Sequence, residues 1–227
     1  MPSKRYKKLP DNTSELNADL IEKVLPEVKK NCTTKFDESV DLSFQINNKQ
    51  KKSEVNIRTV VNLPGGTGKD VKVAVVCEDA KSKDAKDAGA DIVGGDEFID
   101  KIKAGEINFE KLICTPAMMI KLSKLGKVLG PKGIMPNPKF GTVSPNIKKA
   151  VEDIKKGKVE IRCDKDGNLS LSIGRANFDD NKIIENYKSV LEVVEKEKPS
   201  GIKGNFVNTV FLTSSMGPST KISLASA

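Results

Sequence analysis

The sequence of 227 residues contains no histidine and no tryptophan, and its aromatic residues are only eight Phe and two Tyr. The absence of histidine excludes a Ser-His-Asp triad, histidine-based acid–base catalysis and every zinc site that needs an imidazole. The four cysteines lie 37 to 49 residues apart and form no CxxC pair, so a cysteine zinc site is not predicted either. We therefore expect no metal site and no histidine-dependent active site, and we interpret the cysteines as isolated thiols in a reducing compartment.

The sequence also lacks long apolar runs. No stretch approaches the roughly 18 apolar residues that a membrane-spanning helix needs. The basic N-terminus is followed by Pro10, Asp11 and Glu15 instead of the apolar core of a signal peptide. These features predict a soluble cytoplasmic protein that has no membrane partner.

Acidic residues are missing from one long segment. Residues 111–151 contain no Asp, Glu or Arg but eight lysines, which equal the formal net charge of +8 for the whole chain. A concentrated basic segment predicts a polyanionic partner whose binding weakens with salt, although a solvated lysine surface is the alternative. The eight are Lys111, Lys121, Lys124, Lys127, Lys132, Lys139, Lys148 and Lys149.

The two ends of the chain share one kind of pattern. Helical spacing of apolar residues predicts helices over 18–30, with Pro26 kinking or shortening the helix, and over 179–197. Strict alternation predicts strands, which we pair as two antiparallel hairpins, 40–46 with 55–61 and 159–163 with 169–173. A last strand is predicted over 206–212.

The middle of the chain has a different pattern. Residues 71–77 form a nearly continuous apolar run, as expected of a strand that is covered on both faces. Further short strands and helices alternate after it, and this order predicts parallel strands joined by crossover helices. The predicted elements are a helix through 86, strands 92–93 and 112–114, and helices over 97–104, from 117, and over 146–156.

These patterns predict two domains, because neither flank alone can form a stable core. Residues 1–67 and 159–227 would together form a discontinuous α+β domain, an antiparallel sheet with helices. Residues 68–158 would form an inserted α/β domain of parallel strands, similar to a Rossmann fold. The two chain crossings would act as the hinge, with Gly65, Gly66, Gly68 and Gly157 as its flexible positions.

Two short motifs resemble nucleotide- or RNA-binding signatures and fail in detail. Residues 65–69 (GGTGK) lack the first glycine of a P-loop, which falls at Leu63, and Asp70 stands where Ser or Thr should ligate magnesium. A linker is favoured there. Residues 203–207 (KGNFV) lack the aromatic positions of the RNA-recognition motif, so no stacking platform is predicted.

Residues 126–139 (GKVLGPKGIMPNPK) form a more specific motif, rich in Gly and Pro. Such a composition predicts an irregular backbone whose lysines cannot lie along a helix. A plain loop is the usual interpretation. The lack of any carboxylate makes contact of Lys127, Lys132 and Lys139 with a polyanion an equal alternative.

With this motif the whole chain resembles the large-subunit ribosomal protein L-one family, of the bacterial type. Three positions depart from the usual family pattern, namely Gly65 for His, Ala117 for Asp and Ser215 for Thr. The segments that carry the resemblance are residues 62–69, 88–91, 115–119, 126–139, 141–143, 203–204 and 214–218.

The resemblance implies an RNA-binding protein and not an enzyme, and therefore no catalytic residues and no cofactor. It implies binding of large-subunit ribosomal RNA at the mobile stalk of the ribosome, help in releasing tRNA from the exit site, and repression of translation through the chain's own messenger RNA. The lysines 127, 132 and 139 would make a secondary RNA contact. The implied RNA-binding residues are Lys35, Phe36, Glu38, Arg162, Asp164, Lys165, Ser214, Ser215, Met216 and Gly217.

Several alternatives stay open from the sequence. Phe36 could belong to the core, and residues 214–218 could be only a turn. A nucleotide-dependent enzyme that uses the β/α domain is a rival function, and an RNA chaperone without a fixed site is another.

Overall fold

The computed structural model describes residues 5–6, 9, 20–47, 57–78, 81–105, 107–199 and 204–223. Predictions that fell on residues 18–19, 48–56 and 203 lie outside this part of the chain. The chain divides into two compact units, Met1–Gly68 with Val159–Ala227 (unit 1) and Lys69–Lys158 (unit 2).

The described residues form helices and strands in both units. In chain order these are α1 (Ile21–Lys30), β1 (Ser39–Ile46), β2 (Arg58–Asn62), β3 (Val73–Val76), α2 (Ser82–Asp87), β4 (Ile92–Gly94), α3 (Asp96–Lys103), β5 (Lys111–Cys114), α4 (Pro116–Ser123), α5 (Gly126–Leu129), α6 (Ile147–Lys155), β6 (Lys158–Arg162), β7 (Asn168–Arg175), α7 (Asp180–Lys196), β8 (Val207–Ser214) and β9 (Thr220–Ile222).

Unit 1 contains a four-stranded antiparallel sheet in the order β7-β1-β8-β9. The apolar members of each alternating strand point to one side, where Leu42, Leu171 and Leu212 are neighbours in register. Apolar residues of α1 and α7 complete this core, so one face of the sheet is apolar and covered by helices. The predicted α+β terminal domain is confirmed.

The predicted hairpin of 40–46 with 55–61 is wrong. β1 lies between β7 and β8, whereas β2 pairs with β6 in a separate two-stranded sheet. Alternation identifies a strand and its buried face but carries no information about its partner. The second predicted hairpin is also wrong beyond its turn, because only Cys163 and Leu169 pair before β6 and β7 enter different sheets.

Unit 2 has a three-stranded parallel sheet in the order β4-β3-β5. All four residues of β3 are buried, since helices cover both faces of the sheet and form two apolar clusters. The predicted inserted α/β domain of parallel strands is confirmed.

The segment 126–139 is more regular than its composition predicts. Lys127 lies on the short helix α5, and Lys139 lies in a 3₁₀ turn over Pro138–Phe140. The prediction of a wholly irregular backbone is therefore wrong. Local i→i+3 bonding tolerates Pro at the start of a turn and Gly at its end, and Gly141 follows the 3₁₀ turn with φ of 71°.

Asn186, which is fully buried in α7, holds the segment where the chain leaves unit 1. Its Oδ1 accepts from the Gly65 N–H at 2.8 Å, and its Nδ2 donates to the carbonyls of Gly66 at 3.1 Å and Ile173 at 2.7 Å. A Cβ on Gly65 would lie 3.0 Å from the Lys182 carbonyl oxygen. Residues 65–66 are thus packed against α7.

Candidate nucleic-acid interface

Two loops of unit 1 lie together at one end of the four-stranded sheet, and we call residues 33–38 and 214–217 the loop pair. Val40 and Ser214 are in register in β1 and β8, so the loops leave the sheet side by side. Ser215 then donates its N–H to the Ser39 carbonyl at 3.1 Å, and its Oγ accepts from the Ser39 N–H at 3.0 Å. These bonds fix the second loop to the start of β1.

Glu38 connects the two loops from inside, because the residue is only 1% exposed. Its Oε1 accepts from the Thr34 hydroxyl at 2.8 Å and the Thr34 N–H at 3.3 Å, and its Oε2 accepts from the Met216 N–H at 3.1 Å. The structure therefore gives Glu38 three donors within the loop pair.

The donors also change the acidity of Glu38. Burial raises the pKa of this carboxyl, but the nearby Ser214 hydroxyl, Thr34 and the Met216 N–H lower it more, so that its pKa is below the ordinary value. Within the described residues Ser214 Oγ makes no hydrogen bond of normal geometry, so the donors that the geometry establishes are Thr34 and the Met216 N–H. The ionised form of Glu38 is thus favoured, and its hydrogen bonds hold the two loops together.

Two arginines also hold the loop pair. Arg5 Nη1 donates to Thr33 Oγ1 at 2.7 Å, and its Nη2 donates to the Met216 carbonyl at 2.7 Å. Arg175 Nη1 donates to the Asp37 carbonyl at 2.9 Å. Sequence reasoning missed both; the available signal was that the chain has only four arginines among 39 basic residues, since arginine is suited to bridging several acceptors.

The loop pair presents large apolar side chains to solvent. Phe36 is 57% exposed and Met216 is 48% exposed, while Lys35 and Ser215 are exposed beside them in sequence. The alternative that Phe36 belongs to the core is therefore wrong. A Cβ on Gly217 would lie 2.4 Å from Ser214 Oγ, so the glycine leaves room for that hydroxyl inside a tight turn.

The other predicted site residues lie elsewhere on unit 1. Arg162, Asp164 and Lys165 are exposed in and before the turn that leads into β7. The Asp164 carboxylate accepts from the N–H groups of Asn168 at 2.7 Å and Asp166 at 3.0 Å, and these bonds lower its pKa.

The sheet register gives the separation of the two groups. β7 begins opposite Gln45, whereas the loop pair adjoins Ser39 at the other end of β1. At about 3.3 Å per residue, the two groups are about 20 Å apart. The structure does not bring all the predicted residues into one cluster.

The positive charge of the lysine-rich segment 111–151 of unit 2 is partly compensated by carboxylates that lie outside the segment. Lys121 pairs with Asp96 at 2.7 Å, and Lys148 pairs with Asp84 at 3.4 Å. Lys127, Lys132 and Lys139 are exposed. Their exposure keeps them accessible to a polyanion.

Among the described residues, no Cys, Asp and Glu side chains form a group that could hold a metal ion. No helix among them has the length and apolar character needed to cross a membrane.

Comparisons with known proteins give a consistent result. A family model described as "Ribosomal protein L1p/L10e family" matches residues 28–218. The "Large ribosomal subunit protein uL1" of Pelagibacter ubique (strain HTCC1062) is 68% identical over 228 residues and is covered fully, as is this chain. The protein of the same name from Fervidobacterium nodosum (strain ATCC 35602 / DSM 5306 / Rt17-B1) is 45% identical, with 98% of this chain and 95% of that protein covered.

Proposed function

Because the chain belongs to the ribosomal protein L1p/L10e family, we propose that it binds large-subunit ribosomal RNA at the mobile stalk through the loop pair of unit 1. Membership of this family supports a structural role in the large ribosomal subunit, as opposed to an enzymatic one. It equally supports the predicted location, the ribosome in the cytoplasm.

The observation that carries this proposal is the exposure of Phe36 and Met216 on a braced loop pair. Aromatic and thioether groups offer flat or adaptable surface to bases and sugars, and a hydroxyl such as that of Ser215 can recognise the 2′-OH of RNA. Lys35 beside them would contact phosphate. Because Glu38 and Arg5 hold the loops in place, little ordering entropy would be lost on binding.

A second contact would be made by Arg162 and Lys165, whose charges suit phosphate groups. Asp164 holds the turn that presents them. Since these residues lie about 20 Å from the loop pair, one RNA must extend along unit 1 to touch both. That requirement favours a folded RNA over a short single strand.

The proposal also includes the other predicted partners, the chain's own messenger RNA and exit-site tRNA. The same surface of unit 1 would bind a messenger RNA that imitates the ribosomal site, and such binding would repress translation of that message. A secondary contact with RNA would be made by unit 2, through Lys127, Lys132 and Lys139. The protein would also assist the release of tRNA from the exit site.

We also propose that the predicted domains, 1–67 with 159–227 and 68–158, work as separate bodies joined by two chain crossings. Gly65 and Gly66 are held by Asn186. A Cβ on Gly68 would lie 2.8 Å from side-chain atoms of Arg175 and Phe178. Bending on the first crossing would therefore begin after Gly68, and on the return crossing at Gly157, which has φ of 104°.

A specificity measurement tests the proposed function. The full chain would be titrated with a transcript of the stalk region of large-subunit ribosomal RNA and with an unrelated folded RNA of equal length, at several salt concentrations. We expect a preference of at least about 1,000-fold for the stalk transcript, with both affinities falling as salt rises. Equal affinities would instead support a chaperone without a fixed site, and nucleotide hydrolysis by the pure chain would support the enzyme.

A further inference from the structure

The parallel sheet of unit 2 has two edges, and a neighbouring segment covers one of them. Beside β5, Cys114 donates its N–H to the Thr142 carbonyl at 2.9 Å, and its own carbonyl accepts from the Ser144 N–H at 3.2 Å. At the opposite edge, β4 pairs with β3 alone, so among the described residues the outer side of β4 has no strand partner. An unpaired strand edge presents backbone N–H and C=O groups that can bind a further strand.

A groove of about 720 Å³ runs along the open edge of β4, and we call it the edge groove. Its floor is β4 itself, Ile92–Gly94. Ser82 and Lys86 of α2 line one wall, and Phe98 and Lys101 of α3 line the other. Because α2 and α3 belong to the apolar clusters on opposite faces of the sheet, a space that both helices line must lie beside the edge strand.

The α3 wall of the edge groove is preformed. A Cβ on Gly94 would lie 2.5 Å from Phe98 Cβ, so this glycine allows the first turn of α3 to approach the end of β4. The Phe98 ring packs against the Phe109 ring, with 5.7 Å between their centroids. Since Phe98 is still partly exposed, it offers fixed apolar surface to a ligand, and little ordering entropy would be lost on binding.

The edge groove is positively charged toward one end. α2 and α3 both run from the carboxyl ends of the strands back toward their amino ends, as crossover helices between parallel strands must. Lys86 and Lys101 lie in the second turns of these helices and therefore flank the amino end of β4 from opposite walls. Both are exposed, and neither has an ion-pair partner among the described residues. Glu97 lies at the other end, where Asp96 is already paired with Lys121 at 2.7 Å.

From this open edge and its charge we propose that the edge groove binds an extended acidic peptide segment of a partner protein, which adds to the sheet beside β4. Main-chain hydrogen bonds would supply affinity, and alternate side chains would point to the two walls. Two successive carboxylates would thus face Lys86 and Lys101. An apolar residue two positions from the carboxylate that faces Lys101 would pack on Phe98. The inference goes beyond the proposed RNA binding and does not depend on it.

A peptide fits the edge groove better than RNA does. The floor of three residues spans about 10 Å, which suits a short extended segment and not a folded RNA. Glu97 at one end would repel phosphate but would not oppose a peptide whose carboxylates lie at the other end. Edge strands are often protected by charged residues of their own, whereas β4 has the uncharged sequence Ile92-Val93-Gly94. The edge is thus left accessible to a partner strand.

The test titrates the full chain with two fluorescent peptides that are blocked at both ends, Asp-Glu-Val-Thr-Val and the reverse sequence, which cover both strand directions. We expect one of them to bind at least about tenfold more tightly than its counterpart with two lysines in place of the acids. Lys86→Glu and Lys101→Glu should each weaken this binding at least about fivefold. Lys83→Glu is the matched control, because Lys83 is exposed on α2 and does not line the groove. It should change the affinity less than about twofold.

N-methylation of the peptide separates strand addition from attraction between charges. Only every second N–H of an added strand faces its neighbour, so methyl groups on the nitrogens of the central Val and of the Thr, tested one at a time, should have unequal effects. One of the two should weaken binding at least about tenfold. Equal and small effects would overturn the inference. So would a lack of binding of both acidic peptides at millimolar concentration, or equal losses in Lys86→Glu and Lys83→Glu.

Other occupants of the edge groove give different results. Displacement of the bound peptide by the stalk transcript would assign the groove to RNA, and a dimer that Lys86→Glu dissociates in sedimentation would assign it to a second copy of the chain. Either result would overturn the inference. Lys86→Glu and Lys101→Glu should bind the stalk transcript as well as Lys83→Glu does, so a lack of stalk preference in wild type would contradict the proposed function alone. Thermal unfolding checks that each variant is folded.

Discussion

At the scale of single residues, Glu38 shows how much of a site depends on groups far away in sequence. The sequence identifies the residue, and its resemblance to a family implies that it matters. Its burial and its bond to the N–H of Met216, 178 residues later, exist only in the folded chain. Alternation and helical spacing contain no information about this long-range contact. The role of Glu38 in joining the two loops could therefore not be predicted.

The pKa of Glu38 leads to a prediction about stability. Because the folded-state pKa is below the ordinary value, the carboxylate contributes stability above its unfolded pKa and loses that contribution as the pH falls through its folded pKa. We expect Glu38→Gln to lower the free energy of unfolding by about 1–3 kcal/mol at pH 7, and to have a smaller effect at acidic pH. Denaturant titrations at both pH values measure this.

Glu27→Gln is the control for that experiment, because Glu27 is exposed on α1. Its effect should stay within about 0.5 kcal/mol at either pH. A Glu38→Gln variant as stable as this control, or one whose cost does not change with pH, would show that the carboxylate does not brace the loops.

At the scale of elements, the sequence predicts strands and helices well and their partners poorly. The alternation in β1 correctly places Val40, Leu42 and Phe44 in the core. The same alternation assigned β1 to the wrong neighbour, because the nearest strand in sequence was taken as its partner. The parallel sheet of unit 2 was easier, since crossover connections leave few possible arrangements.

Asn186 is an element-scale feature that the sequence hides. An Asn within a helix usually faces solvent, yet this one joins α7, β7 and the departing chain at Gly65. We expect Asn186→Ala to lower the free energy of unfolding by about 3 kcal/mol, because two carbonyls and one N–H lose a buried partner. Chemical denaturation measures the change.

Asn181→Ala provides the comparison, because Asn181 is exposed on the same helix. It should change stability by less than about 0.5 kcal/mol. Equal effects of the two substitutions would mean that the buried amide does not hold the linker.

At the scale of the whole molecule, the charge has two distinct parts. All four arginines, Arg5, Arg58, Arg162 and Arg175, belong to unit 1, whereas the acid-free segment 111–151 of unit 2 has only lysines. Arginines bond directionally and lysines act as point charges. Under the proposed function, specific recognition would therefore lie in unit 1, and long-range attraction with a secondary contact in unit 2.

This division predicts a change in salt dependence. Replacing Lys127, Lys132 and Lys139 together by Gln should reduce the slope of log affinity against log salt by up to about 2.7, at roughly 0.9 per lost phosphate contact. The preference for the stalk transcript should be retained. The same change at Lys83, Lys86 and Lys101, which are exposed on the same unit, should leave the slope unaltered; equal slopes for both variants would contradict the assignment.

The most direct test of the central claim, that the loop pair of unit 1 carries specific RNA binding, compares two half-exposed apolar residues of the same unit. Met216→Asp and Leu20→Asp each add a carboxylate, on the loop pair and at the start of α1 respectively. We predict that Met216→Asp weakens binding to the stalk transcript at least about tenfold with an unchanged Tm, while Leu20→Asp stays within about threefold of wild type. Wild-type affinity in Met216→Asp, or equal losses in the two variants, would contradict the account.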